Sequence, residues 1–402
     1  MRAIQIYLDS SDYSVLSDPK RCTGTLASIL HQLRSIRDEG LATFHFSGTL
    51  LSEMAPLDPE FTDAAQRRAD LLVELCGQNC LISQDRLFAN ELRFASQDTA
   101  DPPSMYSSSG EWYPEGIAEI SPVSAVAMAT NIKEAISDLG LGRKARREVE
   151  RKALKGGKPR STVQSTLVAN ARAGSLDEIL QMYPMRPDDA RILGRFAVGD
   201  ATAAQAAAAF EGSLRDPRWM MQWFERHHSK LSHFIEWTRG PAAYMIGNLN
   251  DLAEHAATLR RIDLERGTSM ASSILSSKGW LTQQDELLLR VSRRICKELL
   301  GFDNLILSPK LIDERCAGIS VGIRSLHSAW WTTTSKTPRP AKLSDFPDSL
   351  HAMYAPYVDI FRADSFMAPY IDNSASRFGT TTVGKLLDLP NAIQVALSRR
   401  KS

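Results

Sequence analysis

Two aspartates directly follow apolar, strand-like segments in this chain of 402 residues. Asp9 comes after IQIYL, and Asp364 comes after YVDIFRA, far away in the sequence. Open parallel sheets form their sites outside the carboxyl ends of the strands, so we expect both carboxylates at one edge of a sheet. Glu53 in TLLSEM and Asp348 near the start of FPDSLHAMYA are expected on neighbouring helices. Together they make a candidate acidic site.

Carboxylates gathered at one point repel each other and resist loss of water, so such a cluster is stable mainly around hard cations. Mg²⁺ and Mn²⁺ prefer oxygen ligands, and bound to a phosphodiester they polarise it and activate a water molecule. These acidic residues are therefore candidate metal ligands and candidate catalytic residues. Asp345 and Asp359 are reserve ligands, because the sequence does not decide between Asp345 and Asp348. The alternative is structural, since an Asp after a strand commonly caps a helix or forms a turn.

The elements that would hold these residues alternate between strand and helix. This rhythm occupies residues 1–98, stops, and returns at 337–402, which predicts βαβ units around a parallel sheet. Residues 99–336 begin with a segment rich in Pro, Ser and Gly and continue as a mostly helical region. We therefore predict one α/β domain made of 1–98 and 337–402, interrupted by a linker and a large, mostly α-helical insertion at 99–336.

The segments YLDSSDYS, FHFSGTLLSE and SDFPDSLHAMYAPYVDIFRADSFMA together resemble the PIN-like nuclease domains. Those domains are metal-dependent nucleases on a three-layer α/β/α core with a parallel sheet. Their first strand ends in Asp, matched here by Asp9, and a following helix supplies a Glu, matched by Glu53. An Asp then opens a helix of the form D-x-x-x-A, matched by Asp348 and Ala352. A last Asp closes the next strand, matched by Asp364.

The resemblance departs from the family pattern at one position, since Ala363 stands where a Thr is usual. It covers residues 1–98 and 337–402 and does not reach the insertion. It implies a nuclease in which a metal-bound water attacks the phosphodiester in line and leaves a 5′-phosphate. It also implies RNA as the expected substrate class, with single-stranded DNA second.

A strongly basic stretch lies in the insertion. Residues 143–160 hold nine basic residues against two acidic ones, although the whole chain has a net charge of only +1. Such a stretch would attract a phosphate backbone, and its contribution would fall steeply with salt. Its candidate nucleic-acid-binding residues, called here the basic helix, are Arg143, Lys144, Arg146, Arg147, Arg151 and Lys152. The alternative is a solvated helix face without a partner.

Other features of the chain carry less chemistry. Trp219, Trp223, Trp237 and Phe224 are expected in a core rather than as base-stacking groups, and Glu91 is expected on a helix surface. The histidines His227, His228 and His233 do not form an H-E-x-x-H metal pattern.

Several classes of protein are excluded by the sequence. It contains no G-x-G-x-x-G after the first strand, no G-x-S-x-G elbow and no apolar run long enough to span a membrane. Its five scattered cysteines favour reduced thiols in the cytoplasm. Two rival functions remain: a non-catalytic scaffold whose insertion binds a protein partner or a second copy, and a sequence-tolerant nucleic-acid binder.

Overall fold

The computed structural model describes most of the chain. The described residues are 2–56, 58–96, 102, 104–113, 136, 142–155, 158–159, 185–197, 201–226, 251, 253–271, 277–302, 305–332, 339, 342 and 345–400.

A parallel sheet of four strands forms the centre of the first compact unit, in which Met1–Pro114 fold together with Phe224–Ser402. Its strands are β1 (Ile4–Tyr7), β2 (Ala42–His45), β7 (Ile360–Arg362) and β8 (Thr381–Val383), in the order β2-β1-β7-β8. Every residue of β1 and β7 is buried. Side chains of a strand point alternately to its two faces, so both faces of the sheet are covered.

Helices make up most of the rest of this unit. They are α1 (Ser10–Leu16), α2 (Thr25–Asp38), α3 (Gly48–Met54), α4 (Thr62–Cys76), α5 (Gln84–Ser96), α10 (Ser277–Leu300), α11 (Pro309–Arg315), α12 (Ala317–Trp331), α13 (Asp345–Ala352), α14 (Ala368–Ala375) and α15 (Leu389–Arg399). Short 3-10 turns lie at Pro59–Phe61, Ala355–Tyr357, Ser376–Phe378 and Leu386–Asp388. The α/β class is confirmed, and the architecture is compatible with three layers.

The predicted linker after residue 98 is not structureless throughout. Strand β4 (Tyr106–Ser107) pairs antiparallel with β3 (Cys80–Leu81) in a small second sheet. The end of β2 continues into this sheet, because Phe46 forms an isolated parallel bridge to Cys80. These residues therefore extend the α/β unit beyond the boundary expected at residue 98.

The second compact unit, Glu115–Trp223, is shorter than the insertion expected at 99–336. Its described elements are α6 (Arg143–Ala153), β5 (Leu154–Lys155), β6 (Lys158–Pro159), α7 (Pro187–Ala197) and α8 (Ala203–Leu214), and α9 (Pro217–Arg226) begins within it. Helices α10 to α12 cluster instead with the α/β unit. No helix among the residues described here is long and apolar enough to cross a membrane.

Helix α12 is the most buried helix next to the candidate site. A Cβ atom added at Gly318 would lie 2.6 Å from the backbone oxygen of Met353, so the glycine permits a close approach to the chain just after α13. The N-terminus of α12 is held by Glu91, which accepts hydrogen bonds from the backbone N–H groups of Gly318 at 2.5 Å and Ile319 at 3.0 Å. Tyr357 donates a third hydrogen bond to this carboxylate.

The expectation that Glu91 lies on a helix surface is therefore wrong, because its side chain is 1% exposed. Burial raises the pKa of Glu91 to about 7, although the three hydrogen-bond donors lower it. A carboxylate at a helix N-terminus satisfies backbone N–H groups that have no partner within the helix. Glu91 is thus a structural group that joins α5 to α12.

Candidate functional site

Asp9 and Asp364 lie at the carboxyl ends of two adjacent strands. β1 and β7 are parallel, and Tyr7 is paired with Phe361. Continued for two residues, this register sets Asp9 level with Ala363, which directly precedes Asp364. From β1 the chain continues to β2 on one side of β1, whereas β7 lies next to β1 on the other side. This point of divergence is where open α/β sheets form a crevice.

Both aspartates also accept local hydrogen bonds. Asp9 is the N-cap of α1 and accepts hydrogen bonds from the backbone N–H and the hydroxyl of Ser11 through Oδ2. Oδ1 of Asp364 accepts a hydrogen bond of 2.6 Å from the backbone N–H of Met367 in the turn before α14. Each of these contacts uses one carboxylate oxygen, and a carboxylate retains a second oxygen that can bind a cation. The capping alternative and the ligand role are therefore compatible.

Asp348 lies in the first turn of α13, and the other three carboxylates of the candidate site affect its pKa. Burial, together with the negative charges of Asp364, Glu53 and Asp9, raises the pKa of Asp348 to about 8, although His351 lowers it. Its Oδ2 atom is buried and has no hydrogen-bond partner among the residues that the structure describes. The fold thus brings these four acidic side chains within electrostatic reach of each other.

Glu53 lies in the last turn of α3 and contacts a histidine from α13. Its Oε2 atom is 3.1 Å from Nε2 of His351. On its other side, the His351 ring lies 2.6 Å from the Tyr7 hydroxyl through Nδ1, and Tyr7 is 2.7 Å from the hydroxyl of Ser47. Burial alone would lower the pKa of His351, but the charges of Glu53, Asp9 and Asp348 outweigh it, so the net shift is upward.

The two reserve carboxylates have other partners. Asp345 is 2% exposed and forms a bidentate ion pair with Arg339, with distances of 2.8 Å and 3.0 Å. Asp359 precedes β7 and therefore lies at the opposite end of that strand from Asp364. It pairs with Arg400 at 2.7 Å and accepts a hydrogen bond of 2.6 Å from the backbone N–H of Gln5. The structure thus places Asp348, and not these two, with the other acidic residues.

A buried ion pair supports the same edge of the sheet. Asp12 of α1 lies 2.7 Å from the guanidinium of Arg362 at the end of β7, and both side chains are almost fully buried. The other oxygen of Asp12 accepts a hydrogen bond from the backbone N–H of Asp9. Burial raises the pKa of Asp12 to about 6 even though Arg362 lowers it. This pair fixes the strand ends that carry Asp9 and Asp364.

The acidic cluster is not a preformed metal site. Among the described residues, no group of three or more His, Cys, Asp or Glu side chains is arranged to hold a metal ion. The donor chemistry nevertheless fits a hard cation, because the cluster offers carboxylate oxygens and Asp348 Oδ2 lacks a partner. Binding of one ion by these oxygens would require the side chains to move, as expected where like charges repel each other.

The basic helix corresponds to α6 and is exposed. It has no buried residue, and ion pairs to Glu150 at 3.6 Å and Glu148 at 3.2 Å involve only Arg146 and Lys152. Trp219 and Phe224 are buried, as expected for core residues. Trp237 and the histidines His227, His228 and His233 lie outside the described residues.

The sequence analysis overlooked the groups that hold the acidic residues in place. His351 follows Asp348 by three positions, so the helical period puts both on one face of α13, and this spacing could have identified it. Tyr7 gives no such signal, because its position in a buried strand is equally typical of a core residue.

Comparisons with known proteins do not identify a family. No protein-family model matches the chain, and neither a curated protein nor a solved structure resembles it significantly. The likeness to PIN-like domains therefore remains a prediction from the motifs.

Proposed function

We propose that this protein is a divalent-metal-dependent nuclease with a PIN-like core. The observation that carries the proposal is the convergence of Asp9, Glu53, Asp348 and Asp364 from four separate elements at one sheet edge, where their charges raise the pKa of Asp348. Natural proteins rarely gather like charges at one point unless a cation or a reaction requires them.

In this proposal the four carboxylates would hold Mg²⁺ or Mn²⁺ through their oxygens. Such an ion, when bound, polarises a phosphodiester and lowers the pKa of a water molecule that attacks it. The protein supplies the fixed positions: the β1 and β7 ends orient Asp9 and Asp364, and α3 and α13 present Glu53 and Asp348.

Nucleic acid is the proposed substrate, with RNA ahead of single-stranded DNA. The motif likeness supports this choice, and so does the exposed basic helix, whose cations can attract a phosphate backbone. A cytoplasmic location belongs to the same proposal. The residues of the second compact unit would select the substrate, or bind a protein partner or a second copy.

The second candidate is a non-catalytic scaffold. It is favoured by one observation, that the described carboxylates are not already arranged as metal ligands. In that case the aspartates at the strand ends would act only as helix caps. The two functions differ in what the protein does with a divalent cation, so they are separated by direct titration.

The experiment pairs Mn²⁺ titration by calorimetry with cleavage of a fluorescent single-stranded RNA in Mg²⁺ or Mn²⁺. Asp9→Asn and Asp364→Asn should abolish cleavage and weaken Mn²⁺ binding. Because Asn caps helices about as well as Asp, both variants should fold normally, as judged by circular dichroism.

The matched control is Asp372→Asn on α14, which makes the same chemical change at an exposed position. It should leave cleavage and Mn²⁺ binding unchanged. Full activity in Asp9→Asn and Asp364→Asn, or an unmodified protein that binds no Mn²⁺, would refute the nuclease and favour the scaffold.

A further inference from the structure

Four side chains form a chain of close polar contacts at the acidic site, made of two hydrogen bonds and one ion pair. Ser47 begins α3 as its N-cap, and its hydroxyl accepts a hydrogen bond of 3.2 Å from the backbone N–H of Leu50. The path then runs from Ser47 to the Tyr7 hydroxyl at 2.7 Å and on to Nδ1 of His351 at 2.6 Å. It ends where Nε2 of His351 meets Oε2 of Glu53 at 3.1 Å.

The proton donors along this path can all point in one direction. Ser47 can donate to the Tyr7 oxygen and Tyr7 to Nδ1 of His351, which leaves a proton on Nε2 of the imidazole. Nε2 then faces the Glu53 carboxylate as an ion pair at 3.1 Å, outside hydrogen-bond geometry. Aligned hydrogen bonds of this kind polarise one another and hold their members rigidly.

The path begins and ends on the same short helix but passes through two other elements. Ser47 and Glu53 both belong to α3, whereas Tyr7 comes from β1 and His351 from α13. Ser47 and Tyr7 are fully buried, and His351 is 5% exposed. The Glu53 side chain, by contrast, is 25% exposed, so this carboxylate has the most freedom to move.

Tyr7 is further fixed by packing. Its ring stacks on that of Phe361 in the neighbouring strand, with centroids 5.2 Å apart and planes inclined by only 4°. The hydroxyl therefore has a defined position from which to orient the imidazole. A fixed imidazole in turn restricts the carboxylate of Glu53 to one side of the site.

We propose that Tyr7 and His351 are positioning residues that hold Glu53 ready to bind the metal ion. This inference rests on the proposed function and assigns to these two residues a role that the motif pattern does not contain. They do not bind the ion themselves. They reduce the conformational entropy that the Glu53 side chain loses when it binds an ion. Partners of this kind, one step removed from a metal, commonly change its affinity by about 10–100-fold.

The test measures Mn²⁺ affinity of the full chain by calorimetry and the kcat and KM of RNA cleavage. Tyr7→Phe removes one hydroxyl and keeps the ring, and His351→Phe removes both ring nitrogens. Each should weaken Mn²⁺ binding by about 10-fold or more and raise the metal concentration needed for half-maximal activity. RNA KM at saturating Mn²⁺ should change little, and His351→Gln, which restores a donor, should recover part of the affinity.

The control is Tyr13→Phe, a second fully buried tyrosine whose hydroxyl contacts the Cys76 sulfur at 3.3 Å instead. It should leave Mn²⁺ affinity unchanged. The double variant Tyr7→Phe/His351→Phe should bind Mn²⁺ no more weakly than His351→Phe alone, because both changes break one path.

The outcomes separate this inference from the proposed function. If the unmodified protein binds Mn²⁺ and Tyr7→Phe binds it equally well, or if the two losses are additive, the positioning role is refuted and the nuclease stands. If the unmodified protein binds no Mn²⁺, the proposed function fails and the positioning role fails with it.

Discussion

Asp345 and Asp348 lie three residues apart on α13, yet the same substitution should change stability in opposite directions. Asp345 is paired with Arg339 by two hydrogen bonds and accepts a third, of 2.9 Å, from the backbone N–H of Lys342. Asp348 has a buried oxygen without a partner among the described residues and is surrounded by like charges. In metal-free buffer, Asp345→Asn should therefore destabilise the fold and Asp348→Asn should stabilise it.

The size of the stability change expected for Asp348→Asn follows from the pKa of Asp348. Burial and the neighbouring carboxylates raise this pKa from 3.8 to about 8, so the folded state holds the proton more tightly than the unfolded chain. The resulting stability is complete below about pH 4 and is lost as the pH rises through about 8. Each pH unit in this window is worth up to about 1.4 kcal/mol. Between about pH 5 and about pH 8, the unmodified protein should lose about 3 kcal/mol relative to Asp348→Asn.

The assay is urea unfolding in EDTA at several pH values. Asp345→Asn should lose about 2 kcal/mol throughout, because a charged hydrogen-bond partner of Arg339 is removed. Addition of Mn²⁺ should stabilise the unmodified protein and have less effect on Asp348→Asn. If Asp348→Asn is less stable than the unmodified protein at about pH 8 without metal, Asp348 has a structural role and the acidic site has been misjudged.

Two further predictions concern Glu91 and the basic helix. Glu91→Ala should reduce the free energy of unfolding by about 3 kcal/mol, because it leaves the buried N-terminus of α12 without its acceptor. The matched control is Glu298→Ala at an exposed position of α10, which should change the free energy of unfolding by less than about 0.5 kcal/mol. An equal effect of both changes in denaturant unfolding would contradict the structural role of Glu91. Charge reversal of the basic helix should weaken RNA binding and reduce its salt dependence, as measured by fluorescence anisotropy, while Mn²⁺ affinity stays unchanged. A salt dependence equal to that of the unmodified protein would show that RNA is bound elsewhere.

The strand ends were the most predictable part of the molecule. Buried parallel strands appear as short apolar runs, and the polar residue that ends each run marks the edge of the sheet. For that reason Asp9 and Asp364 could be expected on the same edge although the chain between them is long. The strand–helix alternation predicted for both ends of the chain is present in the four-stranded parallel sheet and its helices.

The sequence was less informative where a role depends on contacts distant in the chain. Asp345 and Asp348 occupy the same turn, and only their partners in the fold distinguish them: Asp345 pairs with Arg339, whereas Asp348 lies near Asp364, Glu53 and Asp9. Glu91 shares the helix face of Leu87, but a Glu is usually exposed, and the α12 backbone that it contacts lies more than 200 residues away. The extent of the α/β unit was underestimated for the same reason, since α10 to α12 have no strand pattern and join it through packing alone.

The pairing of β1 with β7 has a consequence for the protein during its synthesis. Strand β1 is synthesised long before its neighbour β7. The centre of the sheet therefore stays incomplete until β7 has been made. A nascent or prematurely terminated chain that ends before β7 therefore carries Asp9 and Glu53 without Asp364. In the proposed nuclease, activity would arise only near the end of translation, so an incomplete product could not cleave the mRNA that encodes it.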